Sequence, residues 1–205
     1  MEAAPKSEQS KSDRKWIIIR RLVHGSLSVG AVYYWLPDSL VPNFPKWMLL
    51  VIGLAIIATI EIFRFNRNKK LPWLRPYEQK RLAAQTYAAV GATIVFLVAP
   101  MQVGVAALIA MAWADPVAGE LRRFGKSNRI AVLFCGITYA ILAFISLAIF
   151  SVGIVMTIAL TVIMTIIGVA SEATDIKYLD DDFTMLVLPA VAGTLMVLAF
   201  PLPSI

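Results

Sequence analysis

Long apolar runs broken by short charged stretches set the rhythm of the chain. A helix needs about 20 apolar residues to cross a hydrocarbon core roughly 30 Å thick. On that scale the pattern predicts seven spans, at 16–36, 47–65, 82–99, 101–114, 129–150, 152–171 and 184–201. The fourth is short for a full crossing. It is either a tilted or broken helix, or a helix that continues into the residues after it. Pro100 separates spans three and four, and the PLP at 201–203 closes the last. Residues 1–15, MEAAPKSEQSKSDRK, are polar and expected to form a disordered tail. No secretory signal is expected. No internal repeat stands out, and no linker is long enough to divide 16–205, so that stretch is read as one transmembrane domain. The expected fold class is all-α, a polytopic helical bundle in the membrane.

Composition agrees. The 205 residues are 59% hydrophobic and 16% charged, with a mean hydropathy of +0.75. A soluble domain averages roughly 45–50% apolar and about 25% charged. The placement of charge adds a direction. Under the seven-span topology, 18 of the 19 basic residues share one side, and only Lys46 falls opposite. The positive-inside rule then puts the N-terminus in the cytoplasm. The net charge of +6 is thereby explained as a topology signal, and nucleic acid is not an expected partner.

Acids carry more information, because that rule is nearly blind to them. Of 13, only Asp38 lies on the outer side. A channel or transporter usually places ionisable groups near the midplane, and none falls well inside a predicted span. An enzyme or binding site at the cytoplasmic interface is favoured. The single cysteine, Cys135, lies in an apolar run, and alone it makes neither an intramolecular disulfide nor a metal site.

Four polar clusters sit on the cytoplasmic side. In RRLVHG, Arg20 and His24 are four apart and share a helix face. In EIFR, Glu61 and Arg64 are three apart at a helix end and can pair; Glu78 and Arg81 repeat the spacing. The third is MAWADPVAGELRRFGKSNR, residues 111–129. Here Asp115 stands at a membrane-to-loop junction, and Pro116 fits the first turn of a new helix. Gly119 and Gly125 allow close backbone approach. Arg122, Arg123, Lys126 and Arg129 are suited to phosphates, and Asp115 or Glu120 to a hard cation. The stretch is not a P-loop, because Glu120 stands where that motif needs glycine. In SEATDIKYLDDDF, Glu172 and Asp175 precede the run Asp180, Asp181, Asp182. Three adjacent carboxylates repel one another beside a membrane unless a cation offsets them, and Mg²⁺ is suited to do so. Acids for a divalent metal and bases for phosphate, beside lipid, suit phosphoryl or nucleotidyl transfer to a lipid.

The order R-R-x-x-H-G, E-x-x-R, R-x-x-E-x-x-R, D-P-x-A with R-R-F-G-K, then E and D-D-D-F-T resembles the CTP-dependent lipid kinases, from about Arg20 to Gly193. That family includes dolichol kinases, phytol kinases and the CTP-using diacylglycerol kinases. The resemblance implies transfer of the γ-phosphate of CTP to a membrane lipid alcohol, with Mg²⁺ or another divalent cation. It implies catalytic roles for Asp115, Glu172 and His24. Arg20, Arg64, Arg122, Arg123, Gly125 and Lys126 would bind the nucleotide. Asp115, Asp180, Asp181 and Asp182 would hold the metal. Two alternatives stay open: a CTP-dependent cytidylyltransferase making a CDP-activated lipid, and a non-catalytic membrane transporter or assembly protein. A homodimer is left open too.

Overall fold

The computed structural model describes residues 18, 19, 21, 22, 24–67, 81–174 and 179–200. The expected tail, Arg20, the basic stretch 68–80 with Glu78, and Asp175 and Lys177 lie outside the described residues. Within them the chain is helical apart from one small hairpin. Helical residues 24–30, here α1, run into a 3-10 turn, Ala31–Trp35. The hairpin pairs β1, Ser39–Val41, with β2, Phe44–Pro45, and Asn43 in its turn has φ +66°. Then come α2 (Trp47–Asn66), α3 (Ala84–Val98), α4 (Met101–Arg123), α5 (Asn128–Ile149), α6 (Ile154–Ala173) and α7 (Asp181–Ala199). Five of these, α2 and α4 to α7, are long and apolar enough to cross a membrane. At 15 residues, α3 is shorter.

Two expected boundaries change. The first apolar segment is not one helix to residue 36, since α1 gives way to the 3-10 turn at Ala31. The fourth does not stop at 114. It continues to Arg123 with Pro116 inside it, so Pro116 does not open a new helix and Asp115 is not at a membrane-to-loop junction. A proline within a helix forfeits one backbone bond. That loss is tolerated here because α4 is the central helix, packed against α5 and α7.

Helices α4, α5, α6 and α7 form a ring of neighbours; α3 lies on α7, α2 lies outside α3, and the 3-10 turn rests on α4. Small residues set the spacing. The buried side of α4 includes Gly104, Ala106, Ala107, Ala110, Ala114 and Ala118. Small residues let the helices approach closely, and dispersion between surfaces so close helps hold them together. At Gly104 the approach is extreme: a Cβ there would overlap the Tyr34 hydroxyl. Tyr34 is fixed by donating to the Val95 carbonyl at 3.0 Å and the Ala99 carbonyl at 3.3 Å.

The outer helix α2 is inside-out by the standard of a soluble protein. Its buried residues are Glu61 and Arg64, while Ile52, Ile56, Ile60 and Phe63 are exposed. In water that would be a large apolar patch in need of a partner. Against lipid tails it is the ordinary arrangement, with polar groups turned toward protein. The hairpin end also satisfies itself: Lys46 Nζ lies 2.9 Å from Asp38 Oδ1.

Candidate active site

The end of α2, the starts of α3 and α7 and the ends of α4 and α6 meet at one end of the bundle. The links are polar. Arg64 of α2 donates to Glu61 at 2.8 Å and to the Arg81 carbonyl at 2.7 Å. Glu61 accepts from Thr86 Oγ1 at 3.0 Å and from the Ala83 backbone at 3.3 Å. Arg81 in turn donates to Asp180 Oδ2 at 2.9 Å. On the other flank Arg122 of α4 donates to Glu172 of α6.

Between these flanks the carboxylates converge. Asp180 caps α7 by accepting from the Asp182 backbone, and Asp181 and Asp182 occupy the first turn. Acids are favoured there because the first amide groups of a helix point outward with partial positive charge. Asp182 is only 2% exposed, and it faces inward. Asp115 reaches the same place from α4, eight residues, or ~12 Å of helix, before the α4 terminus. His24 comes from α1. Its Nε2 lies 3.2 Å from Asp182 Oδ1 and 3.4 Å from Asp115 Oδ2. What brings α1 onto α4 is one turn away: Trp113 Nε1 donates to Ser28 Oγ at 3.0 Å. Arg21 also pairs with Glu120 across the same two helices.

Three groups have one ligand atom per residue within 4.8 Å of one another: His24, Asp115 and Asp182; Asp115, Glu172 and Asp181; and Asp180, Asp181 and Asp182. The donors are carboxylate oxygens and one imidazole nitrogen, a set that suits a hard divalent cation such as Mg²⁺. Two of them, Glu172 Oε2 and Asp182 Oδ2, are buried with no hydrogen-bond partner among the described residues. A buried carboxylate oxygen without a partner is costly, and a cation offsets that cost. Asp180 belongs to the third of these groups. Burial, the Asp181 hydrogen bond and the neighbouring carboxylates push its carboxyl up to about 8, against which the part-exposed Arg81 is a limited counterweight.

Searched against family models, characterised proteins and solved structures, the chain matches none.

Of the residues expected at the site, Asp115, Glu172, His24, Asp180, Asp181, Asp182 and Arg122 are brought together. Arg64 is not in that group; it is buried against Glu61 and braces the Arg81 carbonyl. Gly125 has a structural task. With φ +74° it ends α4, its amide donating to Arg122 and the Lys126 amide to Leu121, both at 3.0 Å. That is a Schellman stop, which glycine enters without a Cβ penalty. Ser127 then caps α5 by accepting from the Ile130 amide at 3.4 Å. The GKS string is therefore a helix stop followed by a helix start. Gly119 does not provide a close approach either, as a Cβ there would meet nothing within 4 Å. Arg123, Lys126 and Arg129 are exposed around this turn, with Arg123 3.5 Å from Glu120. The tie between Arg81 and Asp180 was invisible in sequence. The R-x-x-E-x-x-R spacing marked Arg81, but nothing in it named a partner 99 residues away.

Proposed function

We propose that the protein is a multi-pass integral-membrane lipid kinase that transfers the γ-phosphate of CTP to a long-chain isoprenoid alcohol at the cytoplasmic face. The observation that carries the reading is the meeting of Asp115, Glu172, Asp181, Asp182 and His24, with Asp182 Oδ2 left open to a cation and Glu172 Oε2 to a proton. The choice of CTP and of an isoprenoid alcohol rests on the sequence resemblance.

In this reading Asp115, Asp180, Asp181 and Asp182 would hold the divalent cation. When bound, that ion would neutralise charge on the triphosphate. Arg123, Lys126 and Arg129 meet the nucleotide from the exposed turn after α4. His24, whose Nε2 faces two carboxylates, acts as a donor and orients the reacting groups. Glu172 is held through Oε1 by Arg122, leaving Oε2 to take a proton. The alcohol oxygen bonds to the γ-phosphorus, and the bond from that phosphorus to the β–γ bridging oxygen breaks. CDP leaves with the electron pair, and the hydroxyl proton passes to Glu172.

The test uses purified protein, Mg²⁺, CTP labelled on the γ-phosphate, and phytol, geranylgeraniol, a dolichol and diacylglycerol. Label entering the lipid phase and lost in Asp115→Asn supports the kinase. No labelled lipid with CTP, ATP or GTP overturns it, and release of pyrophosphate with lipid phosphates would point to cytidylyl transfer instead.

A further inference from the structure

A cavity of about 270 Å³ lies between α1, α2 and α3. Its walls are Leu27, Ile57, Ile60, Ala88 and Ala89, with His24, Ser26, Glu61, Gln85 and Thr86 as its polar members. Ile60 is 51% exposed on the apolar outer surface of α2, whereas His24 is 8% exposed and touches the carboxylate cluster. The cavity therefore joins a surface that suits lipid tails to the residue that contacts Asp115 and Asp182. Its wall is built for space: Ala88 and Ala89 on α3 stand where larger side chains would fill it.

The geometry points to this cavity as the seat of the acceptor's hydrocarbon chain, entered past Ile60, with the hydroxyl end at His24. This rests on the lipid-kinase reading for the identity of the hydroxyl. The size selects the class. Pockets that take drug-sized ligands measure roughly 300–1,000 Å³, so this one holds the head-proximal part of a single chain and not two chains side by side. One chain fits it, and the two chains of a diacylglycerol do not fit it side by side.

The test needs no turnover. Full-length protein in detergent, without nucleotide, is photolabelled with a long-chain primary alcohol carrying a diazirine near the hydroxyl. Labelled residues are read by peptide mass spectrometry. Label is expected on the α2 and α3 walls, at or beside Ile57, Ile60, Ala88 and Ala89, and is competed by geranylgeraniol but not by dioleoylglycerol. Ala89→Phe fills the space and should cut labelling about tenfold, as loss of ~1.4 kcal/mol of binding would. Ile60→Trp, at the exposed mouth, gives the same readout should Ala89→Phe not fold. Label spread over the outer faces of α5 and α6, or unchanged in both variants, or equally competed by dioleoylglycerol, overturns the cavity assignment. Labelling as expected in a protein that transfers no phosphate overturns only the kinase. Transfer with no label in the cavity overturns only the cavity.

Discussion

Arg81, just before α3, donates from Nη2 to Oδ2 of Asp180, the cap of α7, at 2.9 Å. The Asp180 side chain is 1% exposed and the Arg81 side chain 37%. Removing the arginine takes away the cation beside Asp180, a loss that falls on the ionised carboxyl and is therefore measured at about pH 9, above the raised value. Breaking a fully buried pair costs about 3–5 kcal/mol; with one partner part-exposed, Arg81→Met should cost ~1–3 kcal/mol. Thermal unfolding in detergent would measure it. An unchanged midpoint would mean that the pair does not hold α3 to α7.

The carboxylate cluster should make stability depend on divalent cations. A ligand present at 100 times its Kd stabilises the folded state by about 2.7 kcal/mol. Mg²⁺ or Mn²⁺ is expected to raise the midpoint of the wild type, whereas Asp182→Asn and Asp115→Asn should largely lose that response. Equal responses in all three proteins would place the cation elsewhere.

The pH dependence follows from Asp180. Its carboxyl, ordinarily near 3.8, is pushed up to about 8 in the fold. The folded state then holds a proton that the unfolded state has released between those values. Stability is present in full below the unfolded value and is lost as pH rises through about 8. Without divalent cation, the midpoint should fall between pH 6 and 9, and added Mg²⁺ should flatten the slope. A midpoint that rises over that range contradicts the burial of a protonated Asp180.

Gly104 and Tyr34 form a pair that can be tested by a double-mutant cycle. Gly104→Ala forces Tyr34 out of its seat against Val95 and Ala99, at an expected cost of ~1–3 kcal/mol, the range for overpacking a tight core. Combining it with Tyr34→Ala should cost less than the sum, with a coupling of at least about 1 kcal/mol. Additive losses would show that the two do not touch.

The turn after α4 distinguishes a helix stop from a phosphate cradle. Gly125→Ala should cost about 1–2 kcal/mol, the penalty for a side chain in the left-handed region. Ser127→Ala should cost about 1 kcal/mol as a lost cap. Neither should change the KM for nucleotide, while Lys126→Ala should raise it. A large KM effect of Gly125→Ala at intact stability would restore Gly125 to the nucleotide site.

Helical class, the apolar segments and the crowding of charge into a few short stretches were all legible in sequence. Each follows from local composition: a run such as 154–170 has no other way to satisfy its backbone beside lipid than to become a helix. The Glu61–Arg64 pair was legible too, because a spacing of three on a helix is itself a distance. The path of α4 past Pro116 was not. Proline ends a helix by local rules, and only the neighbours of α4 keep this one going, which is what carries Asp115 inside the bundle. The part Gly125 plays in ending α4 was not legible for a related reason. Glycine's freedom at φ +74° serves a helix stop as well as a phosphate loop, and the choice is made by the Leu121 and Arg122 carbonyls that need donors. Above all, sequence named Asp115, Glu172, Asp182 and His24 separately. Their meeting depends on which of four helices lie side by side, and that was decided by small residues and half-buried ion pairs acting across 50 to 99 positions of chain.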